Sequence, residues 1–228
     1  MATTDPSAAP ADPPAPVDAE ILVIVAHPEL EQSRANRRLL QSARALQDRS
    51  PPGRLAVRDL YSLYPDYLID IAVEQAALKA ARLVVWQQPI RWYSMPPLLK
   101  LWLDDVLTFG WAYGPDGQHL RGKDLWLVAS TGGPEDSYRP DSYNRYFFDA
   151  FLPPYEQTAA LCGMRFLPPL VLHGAHKASE AELAAHAETY VQRLADYPAW
   201  PELDLVEDCV ECAVPPSARP TDRVAETA

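Results

Sequence analysis

Five short apolar runs recur along the chain: "ILVIVA" (Ile21–Ala26), "LAVRDL" (Leu55–Leu60), "RLVVWQ" (Arg82–Gln87), "DLWLVAST" (Asp124–Thr131) and "MRFLPPLVLHG" (Met164–Gly174). Between them lie segments with helical spacing, Ser33–Gln47, Ile71–Ala81, Pro96–Phe109, Tyr146–Leu161 and Ser179–Leu194. Strands apolar on both faces cannot border water and need cover above and below. Their alternation with helices predicts an α/β fold, a doubly wound five-stranded parallel sheet with helices on both faces. No internal repeat is visible. Right-handed crossovers in such a sheet leave a crevice at the carboxyl ends of the strands, where the strand order reverses. Ligand residues are therefore expected in the loops that follow strands.

A chain of 228 residues suits one sizeable domain, placed at 21–198. Residues 1–20, rich in Ala, Pro and Asp, and the acidic stretch 199–228 lack an apolar period and are expected to be disordered tails. The formal charge of −11 resides mostly there, because the two ends hold −9 of it and the domain only −2. A nearly neutral domain offers no footprint for a phosphate backbone, so no nucleic-acid partner is expected. No apolar run reaches the ~20 residues of a membrane span, and the N-terminus lacks signal-peptide regions. A cytoplasmic protein is the expectation. Three cysteines agree with a reducing compartment. Cys209 and Cys212 form a lone C-x-x-C without a second pair or a preceding strand, so no metal site is expected.

Three loops carry unusual chemistry. After the first strand, His27-Pro28 leads to Ser33 at a helix N-cap position, with Asn36 three residues on and Arg34 beside it. Free N–H groups and the helix dipole attract an anion, commonly a phosphate, although a plain capped helix reads equally well from this loop alone. The loop is neither G-x-G-x-x-G nor a Walker sequence, which disfavours the usual dinucleotide fold and an ATPase. After the third strand, Trp92 and Tyr93 stand where rings can flank a planar ligand or pack a core. Pro96-Pro97 then opens a helix. After the fourth strand, Gly132-Gly133 permits close approach and positive φ, and Tyr138 offers a hydroxyl for proton donation. A bland turn accounts for that sequence too, but all three loops fall at one end of the sheet.

The pattern H-P…S-x-x-N, then "QQPIRWYSMPPLLKLWLDDVLTFGWAYG", then T-G-G, resembles the flavodoxin-like NAD(P)H:quinone oxidoreductases. Within them it is most similar to the ancillary flavoproteins of glutathione-regulated Kef potassium-efflux systems. The likeness covers Ile21 to Tyr197. It implies a flavodoxin-like sheet and FMN as cofactor, with the phosphate near His27, Ser33, Arg34, Ala35 and Asn36. It implies an isoalloxazine rim against Pro89, Ile90, Arg91, Trp92 and Tyr93, with Ser130, Thr131, Gly132 and Gly133 closing the ring's other edge. Trp102, Phe109 and Trp111 would pack the core and a partner subunit.

The resemblance further implies ping-pong hydride transfer from NADH or NADPH through the flavin to a quinone, and a homodimer. The alternative it carries is a regulatory subunit that binds the cytoplasmic domain of a potassium-efflux transporter at the inner face of the membrane. Larger quinone reductases of this kind use a Tyr five residues after the second Gly of T-T-G-G, the spacing of Tyr138, and a His six residues later. Asn144 stands in that second place, so only the Tyr carries over. Arg91 also departs from the ancillary proteins, which have Gln or a smaller polar residue there.

Overall fold

The computed structural model describes residues 17–204, and the five expected strands form one sheet. They are β1 (Ile21–Val25), β2 (Leu55–Asp59), β3 (Leu83–Pro89), β4 (Asp124–Ser130) and β5 (Arg165–Leu172). The order is β2-β1-β3-β4-β5, and every neighbouring pair is parallel. The chain crosses over between β1 and β3, so a crevice opens there at the strands' carboxyl ends. β1 and β4 are buried at every position. β5 is an edge strand, where Pro168 and Pro169 cost little in lost ladder bonds.

Successive side chains of a strand point to opposite faces, and that period divides the interior in two. Leu22, Ile24, Val84, Trp86, Leu125 and Leu127 pack against α3 (Ile71–Ala80), α4 (Pro97–Val106) and α5 (Pro153–Leu161). Ile21, Val23, Val25, Val85, Trp126 and Val128 face α1 (Arg34–Arg49) and α6 (Glu180–Asp196). A short helix, α2 (Leu60–Leu63), follows β2 directly.

Local chemistry fixes where the helices start. Ser33 caps α1 by accepting the Asn36 N–H at 3.1 Å, and Asp70 caps α3 through Val73. Ser179 and Glu182 form a reciprocal capping box on α6. Pro97 and Pro153 occupy first turns, where a missing N–H is harmless.

The structure moves two expected boundaries. The helix expected from Tyr146 starts at Pro153; Phe148–Phe151 form a separate 3₁₀ turn before it. The folded unit also reaches past residue 198: Trp200 meets Trp126 edge-on at 4.9 Å between ring centroids, and both Trp200 and Leu203 are buried. At the other end Ala19 is buried, and Glu20 pairs with Arg54 at 2.5 Å and Arg82 at 3.4 Å. Cys209 and Cys212 lie outside the described residues. Among the described residues no helix is long and apolar enough to cross a membrane.

Candidate functional site

A cavity of about 490 Å³ opens at the carboxyl ends of β1, β3, β4 and β5. Eleven of the residues singled out in the sequence line it: His27, Ser33, Arg34, Ala35, Pro89, Ile90, Arg91, Trp92, Ser130, Thr131 and Gly132. Asn36 stands immediately behind, 1 % exposed, donating Nδ2–H to Ser130 Oγ at 2.8 Å. Tyr93, Gly133 and Tyr138 are not on its wall. Glu29, Gln32, Ala175 and His176 line it without having been expected. The first two sit in the loop already marked, whereas Ala175 and His176 follow β5, whose loop has no glycine pair or aromatic step to flag it.

The α1 end of the cavity suits an anion. Ser33 satisfies the Asn36 N–H, and the first-turn N–H groups of Arg34 and Ala35 have no intrahelical acceptor. Arg34, on the cavity wall, is paired with Glu180 at 2.5 Å and donates to the Ala178 carbonyl at 2.9 Å. His27 Nδ1 accepts the Glu29 N–H at 3.1 Å. Burial, and next the Arg91 guanidinium, lower the His27 pKa and favour the neutral ring. Beneath, Gln87 donates to the Asn36 carbonyl at 3.0 Å and accepts from Tyr190 at 3.0 Å, which ties α1 to β3 and α6. Asn36 Oδ1 remains buried without a hydrogen-bond partner.

The loop after β3 has an unexpected backbone. Arg91 N–H donates to the Ser94 carbonyl at 2.9 Å and Ser94 N–H returns to Arg91 at 3.0 Å. Trp92 and Tyr93 between them both adopt positive φ, 50° and 63°. Such a two-residue turn normally holds Asn-Gly, and a left-handed residue with a side chain costs roughly 1–2 kcal/mol. Its effect is to leave Trp92 93 % exposed at the cavity mouth. Tyr93 turns away and stacks on Phe151 at 5.1 Å. The N–H of Ile90 already serves Ser130 and that of Arg91 serves Ser94, so neither is free for a ligand.

Gly132 and Gly133 also differ from expectation, because neither has positive φ. A Cβ on Gly133 would come within 2.7 Å of Ser137 Oγ and Tyr143 OH, so packing demands the glycine. Tyr138 is buried against Phe148, Phe151 and His173. Burial raises its phenol pKa, with the Thr131 side chain opposing. Asn144, in the place of the family histidine, donates to Ser137 Oγ at 2.8 Å. An imidazole reaches Tyr138 from elsewhere: His173 lies 5.4 Å from its ring and bonds Thr131 Oγ1 through Nδ1 at 3.1 Å. Of the other aromatics, Trp102 is fully buried, Trp111 stacks on His119, and Phe109 is half-exposed.

A parallel 2-1-3-4-5 sheet with an anion-suited helix start and a cavity at its switch point defines a doubly wound α/β protein whose cavity lies where such sheets take their ligands. The chain belongs to the flavodoxin-like fold family, whose model matches residues 19–194. It is 46% identical over 182 residues to the glutathione-regulated potassium-efflux system ancillary protein KefF of Citrobacter koseri, covering 80% of this chain and 97% of that one. Among solved structures it resembles general stress protein 14 of Treponema denticola in complex with FMN, at TM-score 0.70 and 38% identity, covering 77% of this chain and 98% of that one. It also resembles an NADPH-quinone reductase from P. pentosaceus, at TM-score 0.64 and 26% identity, covering 77% and 97%.

Proposed function

We propose that the chain is an FMN-dependent NAD(P)H:quinone oxidoreductase that passes a hydride from NADH or NADPH through the flavin to a quinone. The observation that carries this reading is the single cavity wall built from the loops after β1, β3, β4 and β5, with an anion-suited helix start at one end and Trp92 at its mouth. The 38% identical neighbour that holds FMN supports the cofactor, and the quinone-reductase neighbour supports the reaction. Ser33 and the N–H groups of Arg34 and Ala35 would hold the phosphate end, with Asn36 positioning Ser130 from behind; Pro89, Ile90, Trp92, Thr131 and Gly132 would bound the ring. FMN would supply the two-electron hydride chemistry, which side chains cannot perform. The protein's share is orientation and proton supply. Tyr138, its phenol neutral at pH 7, would donate a hydrogen bond or proton toward the product oxygen beside Thr131.

Stopped-flow kinetics of the two half-reactions test this reading. Reduced protein should be reoxidised rapidly by a quinone, and Tyr138→Phe should slow kcat roughly tenfold with flavin content unchanged. Absence of quinone reoxidation in the wild type contradicts the function; equal rates in Tyr138→Phe reduce the tyrosine to packing.

A regulatory role as the ancillary subunit of a Kef-type transporter is the second reading, favoured by the 46% identical relatives named for it. Exposed Tyr143, Tyr146 and Phe147 beside the site offer surface for a partner or for a second copy in a homodimer. Pull-down with a transporter's cytoplasmic domain tests the first, and light scattering the second.

A further inference from the structure

A second cavity of about 250 Å³ lies on the β2 side of the first and shares His27, Glu29 and Gln32 with it. Asp59, at the carboxyl end of β2, stands on its wall. This carboxylate is 6 % exposed; Oδ2 accepts from Ser62 Oγ at 2.8 Å, and Oδ1 has no hydrogen-bond partner. A buried carboxylate oxygen left open is costly, and the groups that relieve it are donors such as hydroxyls. Glu29 and Glu31 add negative charge to the same wall, with Arg37 3.7 Å from Glu31 as its partially exposed counter-ion.

The seam between the cavities holds a cation. Arg91 reaches from the β3 loop toward the β1 loop, and its ion pair with Glu29 is long, 3.9 Å, between half-exposed groups. Its charge is felt at His27, which lines both cavities, and at Tyr61, which lines the smaller one. A guanidinium so loosely committed can turn to an incoming anion with two parallel N–H donors.

Resting on the oxidoreductase reading, we propose that the nicotinamide dinucleotide binds across both cavities, with its diphosphate on Arg91 and an unphosphorylated ribose against Asp59 and Ser62. The chain therefore prefers NADH to NADPH. A 2′-phosphate would bring about two negative charges to a wall already carrying Asp59, Glu29 and Glu31.

Calorimetric titration of the flavin-loaded protein with ADP-ribose and with its 2′-phosphorylated form tests the site without turnover. ADP-ribose should bind about tenfold tighter than the phosphorylated form, and Arg91→Gln should weaken ADP-ribose about tenfold, the loss of one charge-assisted contact. Glu31→Gln should narrow the preference by favouring the phosphorylated ligand. Equal affinity for the two ligands, no binding of ADP-ribose, or unchanged binding in Arg91→Gln overturns the proposal. Reoxidation of dithionite-reduced wild-type protein by a quinone reports on the oxidoreductase reading separately, because no nucleotide takes part in it.

Discussion

Two buried polar clusters stand at different places in the same sheet, and they are finished to different degrees. Beside β2, the Glu74 carboxylate is fully buried and every neighbour answers it. Arg58 donates from Nε at 2.8 Å and also from Nη2, Tyr64 OH donates at 2.6 Å, and Trp102 Nε1 donates at 2.9 Å. Burial alone would lower the Arg58 pKa, yet the Glu74 charge raises it, so the guanidinium stays charged. At the carboxyl ends of the strands, Asn36, Ser130, Gln87 and Gln88 make neutral hydrogen bonds, and Asn36 Oδ1, Gln88 Oε1 and Asp59 Oδ1 are left without partners. A closed cluster locks elements together. An open one marks where a ligand or water completes the structure.

The contrast can be broken at either cluster. Glu74→Ala should be the most damaging change, because it strips the buried Arg58 of its carboxylate and leaves the Tyr64 and Trp102 donors pointing at a void. A loss of about 3–5 kcal/mol in unfolding free energy is expected, read by urea denaturation. A loss under about 1 kcal/mol, the scale of an exposed pair, would show that the cluster is hydrated. Asn36→Leu removes the donor that holds Ser130 on the cavity wall and puts a branched apolar side chain behind the start of α1. FMN affinity should fall about tenfold, the loss of about 1.4 kcal/mol, measured by flavin fluorescence. Unchanged affinity would take Asn36 out of the site.

The smallest effect should run the other way. Trp92→Gly removes a side chain from a left-handed position and should raise stability by about 1 kcal/mol, while KM for the quinone rises as the ring at the mouth is lost. Stability that falls instead would mean that Trp92 is held by packing, against its 93 % exposure.

The same contrast explains what the sequence reveals. β1, β3 and β4 are readable because burial on both faces gives each an unbroken apolar run, as "ILVIV" shows. Ser33 and Asn36 are readable because an N-cap is a local bond. The start of α5 is not, since Tyr146 to Leu152 continues a helical apolar spacing while Pro153 actually sets the first turn. Trp92 and Tyr93 hide their positive φ because neither is glycine, and the turn is closed by the reciprocal backbone bonds of Arg91 and Ser94. His173 and His176 enter through β5, and only the β4–β5 register brings them to Thr131 and Gly132. The Glu74 cluster joins residues from β2, α3 and α4, a meeting that no spacing encodes.

The central claim is that the larger cavity of this open region takes FMN. Titrating flavin-free protein with FMN, followed by the flavin's absorbance and fluorescence, tests it most directly. The account predicts saturable uptake of one FMN per chain, a yellow protein, and a raised melting temperature, as expected for a ligand that binds only the folded state. A protein that stays colourless, leaves the fluorescence of added FMN unchanged and melts at the same temperature would contradict it.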